Sequence, residues 1–311
     1  MQASPTLTIG TRGSPLALAQ AHEVRDRLAA AHGMDPAGIA IRVIKTTGDQ
    51  VLDRPLAEIG GKGLFTKEIE DALLSGDIDL AVHSMKDMQT VLPDGLILGA
   101  TLPREDVRDA FLSLKYGSLA EVPPGSVVGT SSLRRQAQLL NVRPDLTVIG
   151  FRGNVQTRLK KLEDGVAAAT FLAVAGLRRL KMEGRIAALI PTEQMLPAVA
   201  QAAIGIETRA DDARIARLIS PLNDAATATA VTAERAFLRR LEGSCRTPIA
   251  GLAELRDGAL FFRGQVLSPD GKVSYTTQRS GAPQAAADLG IAAAGDILKQ
   301  ADPAILAMLH G

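Results

Sequence analysis

The sequence predicts two α/β domains followed by a small α+β domain, and three observations predict it. Short apolar strands alternate with amphipathic helices along the first part of the chain. The same alternation restarts beyond residue 102. From about Asn223 it gives way to one helix and three strands of alternating polarity, separated by the pairs Asp257-Gly258 and Asp270-Gly271. Residues 1–102 and 200–220 are expected to form the first domain, 103–199 the second, and 223–311 the third.

The elements follow in order. TLTIG is a strand, and GTRGS turns it into a helix from Pro15 to Ala31, with Ser14 as N-cap and Pro15 at the first helical position. IAIRVIKTTGD is a second strand. From Gln50 to Gly63 the chain has no periodicity and holds Pro55 and the Gly60-Gly61 pair, so a long mobile loop is expected. A helix from Leu64 to Leu74 and a strand from Ile78 to Val82 follow, and this order predicts a parallel sheet whose ligands lie at the carboxyl ends of its strands. In the second domain SVVG leads into the helix opening at TSSLRRQAQLL, LTVIGF into NVQTRLKKLEDG, and ATFLAVAGL is a strand running into a short helix. QAAIGIETR is a strand, Asp211 to Leu218 a polar helix, and Ala225 to Leu241 a longer one. TPIAGLAEL, ALFFRGQVLS and KVSYTTQR then make a three-stranded antiparallel sheet.

Composition narrows the function. Of the 311 residues 46% are apolar and 22% charged, as in a globular protein, and no apolar run approaches the ~20 residues that a membrane-spanning helix requires. MQASPTLTIG lacks the basic, apolar and small-residue order of a secretory signal, so the cytoplasm is the expected compartment. Cys245 is the only cysteine, and His22, His32, His83 and His310 are scattered, which leaves no zinc spacing. Tryptophan is absent and aromatics are 3%, too few for base-stacking platforms. Arginine outnumbers lysine 25 to 10, and the stretch from Arg104 to Arg185 carries a net charge of +6 inside a chain of net +1. A coding bias explains an excess of arginine as readily as selection does, but it does not explain the clustering, which suits a polyanion.

Three strand-to-helix junctions combine hydroxyls, glycine and arginine: Gly10 to Ser14, Gly129 to Arg135, and Arg152-Gly153-Asn154 with Arg158 one turn on. Free N–H groups and the helix dipole make each an anion site, and an arginine adds a bidentate grip. Taken singly, Ser or Asn there is an ordinary cap. None of the three contains a nucleotide-binding glycine signature. Asp87 stands where an apolar strand runs out into a loop, beside Lys86, and spacing alone leaves both as solvated loop residues. A lone cysteine is ordinarily a buried small apolar residue. The neighbours of Cys245, in GSCRTP, instead describe an exposed loop in which Arg246 favours the thiolate.

The runs TRGSPLALAQAH, GGKGLFTKEIE, DLAVHSMKD, LPREDVRDAF, VGTSSLRRQAQL, RPDLTVIGFRGNVQTRLKKL, LAVAGLRRL, LPAVAQAAIGIE, TAERAFLRRLEGSCRTPIAG and SPDG together resemble the porphobilinogen deaminase, or hydroxymethylbilane synthase, family, in its order and over nearly the whole chain. The resemblance implies two α/β domains of the type II periplasmic-binding-protein kind and a small α+β domain. It implies a transferase that joins four porphobilinogen molecules head to tail with loss of ammonia and releases hydroxymethylbilane, for tetrapyrrole and haem biosynthesis. The primer is a dipyrromethane cofactor, held by a thioether that here falls on Cys245. Each pyrrole carries an acetate and a propionate, which gives the arginines a purpose. On this resemblance Thr130, Ser132, Arg134, Arg135, Arg152, Gly153, Arg158 and Arg179 hold cofactor and chain carboxylates, and Arg12, Ser14, Ser84, Lys86 and Gln201 line the same cleft. Lys62 and Phe65 belong to a mobile loop. The partners are porphobilinogen and the growing polypyrrole chain; nucleic acid, membrane and metal are not expected, and the protein is expected to be a monomer.

The family's catalytic aspartate matches Asp87. The substrate amine, with a pKa of ~10 by analogy with lysine, is already protonated, so ammonia leaves without an external acid. Asp87, expected among arginines that keep it ionised, then stabilises the azafulvene-like cation and the protonated pyrrole and assists loss of the α-proton. The chain departs from the family at Ala200-Gln201-Ala202, where Gly-Gln-Gly is usual, at Gln89, where proline is usual, and at Glu58, where some members have lysine. The alanines put hinge flexibility in question, because glycine tolerates backbone angles that alanine does not. The alternative is a two-lobed anion-binding protein without chemistry, which the cysteine loop disfavours. A Cys-His hydrolase lacks a base, since His83 follows a buried strand pattern.

Overall fold

The structure is a computed structural model that describes residues 7–50, 63–243 and 247–310, with backbone alone at 49, 50 and 310. β1 (Leu7–Thr11) runs into α1 (Pro15–His32), followed by β2 (Ile39–Val43), α2 (Thr47–Gln50), α3 (Lys67–Leu74), β3 (Leu80–Ser84) and β4 (Leu96–Thr101). Then come β5 (Asp109–Leu112), β6 (Val127–Gly129), α4 (Leu133–Val142), β7 (Thr147–Ile149), α5 (Val155–Glu163), β8 (Ala169–Ala173), α6 (Val174–Arg179) and β9 (Ala188–Ile190). β10 (Ile204–Arg209), α7 (Ala213–Ile219), α8 (Ala225–Arg240), β11 (Ile249–Arg256), β12 (Ala259–Leu267), β13 (Ser274–Gly281), α9 (Ala286–Gln300) and α10 (Pro303–His310) complete the chain. Two compact units result. Of the described residues, one takes 7–50, 63–105 and 203–228, and the other takes 106–202 and those from Thr229 onward.

In the first unit the strand order is β2-β1-β3-β10-β4. β1 is parallel to β2 and β3, and β10 is antiparallel to β3 and β4. The expected parallel sheet is therefore mixed. β10 reaches the sheet from the other unit, not over a helix of its own, so the right-handed crossover that keeps sequential strands parallel does not govern it. β3 and β10 are buried along almost their whole length, including polar His83, Glu207 and Thr208. Leu7, Ile9, Val24, Leu28, Leu80, Val82, Ile204 and Ile206 pack into one core. The helix expected from Leu64 begins at Lys67, after a turn in which Thr66 N donates to Gly63 O at 3.0 Å.

The second unit repeats the plan with the order β7-β6-β8-β5-β9, β5 again being the antiparallel member next to last. Phe111 and Phe171 centre its core with rings 6.0 Å apart. The same unit contains the predicted antiparallel sheet β11-β12-β13. Asp257 and Gly258 both have positive φ, 49° and 78°, which is the left-handed pair a two-residue hairpin requires. Gly251 N donates to Pro197 O at 3.1 Å, and Leu196, Ala250 and Leu252 form a shared apolar cluster beside it. The fold class expected from the sequence holds: mixed α/β with a three-stranded antiparallel sheet toward the C-terminus.

Candidate active site

In the first unit β1 and β3 are parallel neighbours, so the segments that follow them leave the same edge of the sheet. That register brings Arg12 and Ser14 to the edge that carries Ser84, Lys86 and Asp87. Ser14 Oγ is used as a cap, accepting from Ala17 N at 3.2 Å. The Arg12 guanidinium stacks over the Phe65 ring at 4.2 Å. Ser84 and Gln20 of α1 exchange hydrogen bonds of 2.9 and 3.0 Å. Asp87 ends a single 3-10 turn, Met85–Asp87, anchored by buried Met85, whose N–H donates to Ala203 O at 3.0 Å. Its carboxylate is exposed and has no hydrogen-bond or ion-pair partner among the described residues, so the arginines expected around it do not pair with it here.

His83 lies one residue before Ser84 and is 6% exposed, with Nε2 2.9 Å from Oε2 of buried Glu207. The contact lacks hydrogen-bond alignment, and His83 Nε2 and both Glu207 carboxylate oxygens are buried without a hydrogen-bond partner among the described residues. Burial raises the pKa of nearby Glu70. Gln89, in place of the family's usual proline, packs its side-chain amide against Gly63, where a Cβ would come within 2.5 Å of its nitrogen.

In the second unit β6 and β7 are parallel, and the junctions after them again share an edge. Here the hydroxyls serve the backbone. Thr130 Oγ1 accepts from Ser132 N at 3.2 Å, Ser132 Oγ caps α4 by accepting from Arg135 N at 3.4 Å, and Asn154 Oδ1 caps α5 by accepting from Thr157 N at 2.8 Å. Gly153 takes φ +119° with Thr157 packed where a Cβ would project, so the turn admits only glycine comfortably. Arg158 Nε donates to Gly153 O at 2.9 Å, and Lys161 Nζ to Arg152 O at 3.0 Å. The Arg152 guanidinium itself has no partner among the described residues, although its Nη1 is buried. Arg179 Nη2 donates to Ala202 O at 3.0 Å.

Arg134 and Arg135, adjacent on α4, are 4% and 5% exposed and converge on Asp109 at the start of β5. Asp109 Oδ2 accepts from Arg134 Nη2 at 2.7 Å, and Oδ1 accepts from Arg135 Nη2 at 2.7 Å and Nε at 3.2 Å. Burial alone would raise this carboxyl's pKa, but the two guanidiniums hold it well below the usual carboxylate range. Sequence reasoning missed Asp109. The available signal was an acidic residue set flush against the apolar run AFL.

Gln201, expected to line the site, is 0% exposed and spends its side-chain nitrogen on Val107 O at 2.8 Å and Asp109 Oδ1 at 3.0 Å. The alanines on either side sit in the left-handed region, Ala200 at φ 58° and Ala202 at φ 73°. Buried Glu234 of α8 holds the first of them, accepting from Ala200 N at 2.5 Å and from Ala253 N at 2.8 Å. Ala200→Gly and Ala202→Gly are each expected to stabilise the protein by about 0.5–1 kcal/mol, the left-handed penalty less the freedom a glycine adds to the unfolded chain. Urea unfolding checks this; an unchanged or lower midpoint would show that the tract carries no strain. Cys245, Lys62 and Glu58 lie outside the described residues. Among the described residues no group of three or more His, Cys, Asp or Glu is arranged to hold a metal ion, and no helix is long and apolar enough to cross a membrane.

The family profile described as "Porphobilinogen deaminase, dipyromethane cofactor binding domain" matches residues 7–217, and "Porphobilinogen deaminase, C-terminal domain" matches residues 228–299. A protein of Paracoccus denitrificans named porphobilinogen deaminase is 62% identical over 284 residues, covering 91% of each chain. One of Nitrobacter hamburgensis with the same name is 55% identical over 98% of this chain and 96% of its own. A chloroplastic porphobilinogen deaminase of Oryza sativa is 58% identical over 88% of this chain and 78% of its own. Among solved structures, the methionine-binding protein MetQ aligns distantly, with a TM-score of 0.44 and 16% identity over 70% of this chain and 89% of its own.

Proposed function

Because the chain belongs to the porphobilinogen deaminase family, we propose that it joins four porphobilinogen molecules head to tail with loss of ammonia and releases hydroxymethylbilane, as a monomeric, metal-independent cytoplasmic transferase. Residues 103–199 and 223–311 are read as separate domains, each with its own sheet, although residues 103–105 and 223–228 cluster with the first unit. A dipyrromethane primer carried as a thioether on Cys245 suits the groups around the arginines. Arg152 Nη1 and Arg134 Nε are buried without hydrogen-bond partners among the described residues, and such donors are costly to bury unless an acceptor reaches them. These two unsatisfied guanidinium nitrogens are the observation that carries the reading, since the primer and chain present acetates and propionates.

When bound, the primer supplies the carbon nucleophile that a protein side chain would otherwise have to provide. This chain's residues bind and orient. Arg134, Arg135, Arg152, Arg158 and Arg179 pair with carboxylates, and the capped junctions at Thr130, Ser132 and Gly153 fix where those arginines start. Arg12, Ser14, Ser84 and Lys86 do the same around Asp87. Asp87 provides a fixed counter-charge for the cation left on the substrate when ammonia departs, and then receives or directs the proton lost from the reacting carbon. Its lack of a partner among the described residues leaves that charge available to substrate.

The test separates the arginines. A charge-assisted carboxylate pair contributes about 1.5–3 kcal/mol, so losing one lowers affinity by about 10- to 100-fold. Arg134→Leu and Arg152→Leu are expected to prevent stable primer assembly, read as loss of the primer's mass increment from purified protein. Arg179→Leu is expected to keep the primer and stall elongation, read as accumulated partly extended enzyme. Wild-type loading and turnover in all three would refute the assignment.

A further inference from the structure

We propose that Asp109 is a positioning residue for this reaction, fixing the guanidinium planes of Arg134 and Arg135, and that Gln201 serves Asp109 instead of touching substrate. The inference rests on the assignment of these two arginines to primer and chain carboxylates.

An arginine that receives an external carboxylate in bidentate fashion must present its plane in one orientation, yet its side chain is long and free to rotate. Here each plane is held at two points. Arg134 is held by Asp109 Oδ2 and by Leu196 O, at 2.7 Å each, and Arg135 by Asp109 Oδ1 and by Phe171 O at 2.8 Å. Asp109 is the one group common to both. Its Oδ1 also accepts from Gln201 Nε2, whose second acceptor, Val107 O, lies two residues before Asp109. Gln138 secures the remaining anchor by donating to Leu196 O at 3.0 Å and accepting from Leu196 N at 2.7 Å.

Charge leads to the same assignment. One carboxylate against two guanidiniums leaves a single positive charge in excess, in a cluster that is 95% buried or more. An uncompensated buried charge is expensive, so the arrangement suits a cluster completed by an incoming carboxylate, for which Arg134 Nε, buried and without a hydrogen-bond partner among the described residues, is the free donor. Asparagine cannot replace it, because its NH2 would face guanidinium donors. Glutamate restores the charge one methylene too far along.

Asp109→Asn, Asp109→Glu and Gln201→Met are compared with Arg134→Leu and Arg135→Leu, all as full chains, on the folded fraction recovered by size exclusion. The readouts are the primer-loaded fraction by intact mass, and kcat and KM for porphobilinogen separately. Asp109→Asn is expected to lower primer loading and to raise KM, with kcat/KM falling about 10- to 100-fold, the loss that a misplacement near 1 Å produces. Asp109→Glu should recover part of it, and Gln201→Met should move loading and KM in the same direction by a smaller factor. A purely structural role would reduce the yield of folded protein while leaving loading and KM on that fraction at wild-type values, and that result overturns the proposal. If Asp109→Asn does not fold, wild-type loading and KM in Gln201→Met overturn it equally. Arginine variants that lose primer while Asp109→Asn and Gln201→Met do not would sink this inference alone; arginine variants that behave as wild type would remove the assignment on which it rests.

Discussion

Asp87→Asn is expected to fold, to bind porphobilinogen, and to release ammonia about 10²- to 10³-fold more slowly in a single turnover, the loss typical of removing one preorganised electrostatic group. Asn keeps the size and part of the hydrogen bonding of Asp but not its charge, which separates stabilisation of a cation from positioning. The fold should not notice. The side chain is exposed and has no partner among the described residues, while the turn that carries it is anchored by Met85, whose N–H donates to Ala203 O. Surface substitutions of that kind usually change stability by less than about 0.5 kcal/mol. Asp87→Glu returns the charge at the wrong distance and should recover only part of the rate. Ammonia release at the wild-type rate in Asp87→Asn would leave Asp87 an ordinary loop residue.

The larger effect is expected at Cys245. Wild-type protein should be heavier than its 32.6 kDa sequence mass by a dipyrromethane, and Cys245→Ala and Cys245→Ser should both lack that increment and all turnover. Serine keeps the size and a hydroxyl but is not the thiolate that forms a thioether, so it distinguishes attachment chemistry from space filling. Active wild-type protein at its bare sequence mass would overturn the covalent primer.

What the sequence disclosed follows the range of the interaction involved. The hairpin at Asp257-Gly258 was legible because a two-residue turn imposes its angles on those residues alone. Ser14, Ser132 and Asn154 were legible as caps for the same reason. The strand at Ile204–Arg209 was recognisable from its apolar run, but its antiparallel place between β3 and β4 was not, because periodicity says nothing about partners more than a hundred residues away. Asp109 was hidden for a related reason. Its burial is made tolerable by two cations that lie 25 and 26 residues further on. Gln201 matched a family motif and was assigned to the site surface; its burial depends on that same carboxylate.

The placement of β10 constrains the order in which the protein can be made. Leu80–Ser84 and Leu96–Thr101 emerge from the ribosome early, but the strand that joins them, Ile204–Arg209, is synthesised only after all five strands of the other five-stranded sheet. Until then the first unit has β2-β1-β3 with an open edge next to β3, and a separate β4. An open, apolar strand edge is a site for mispairing with another nascent chain. The region that becomes the centre of the first unit is thus unprotected for the longest part of translation, so ribosome-bound chains ending before Ile204 should be the forms most dependent on chaperones.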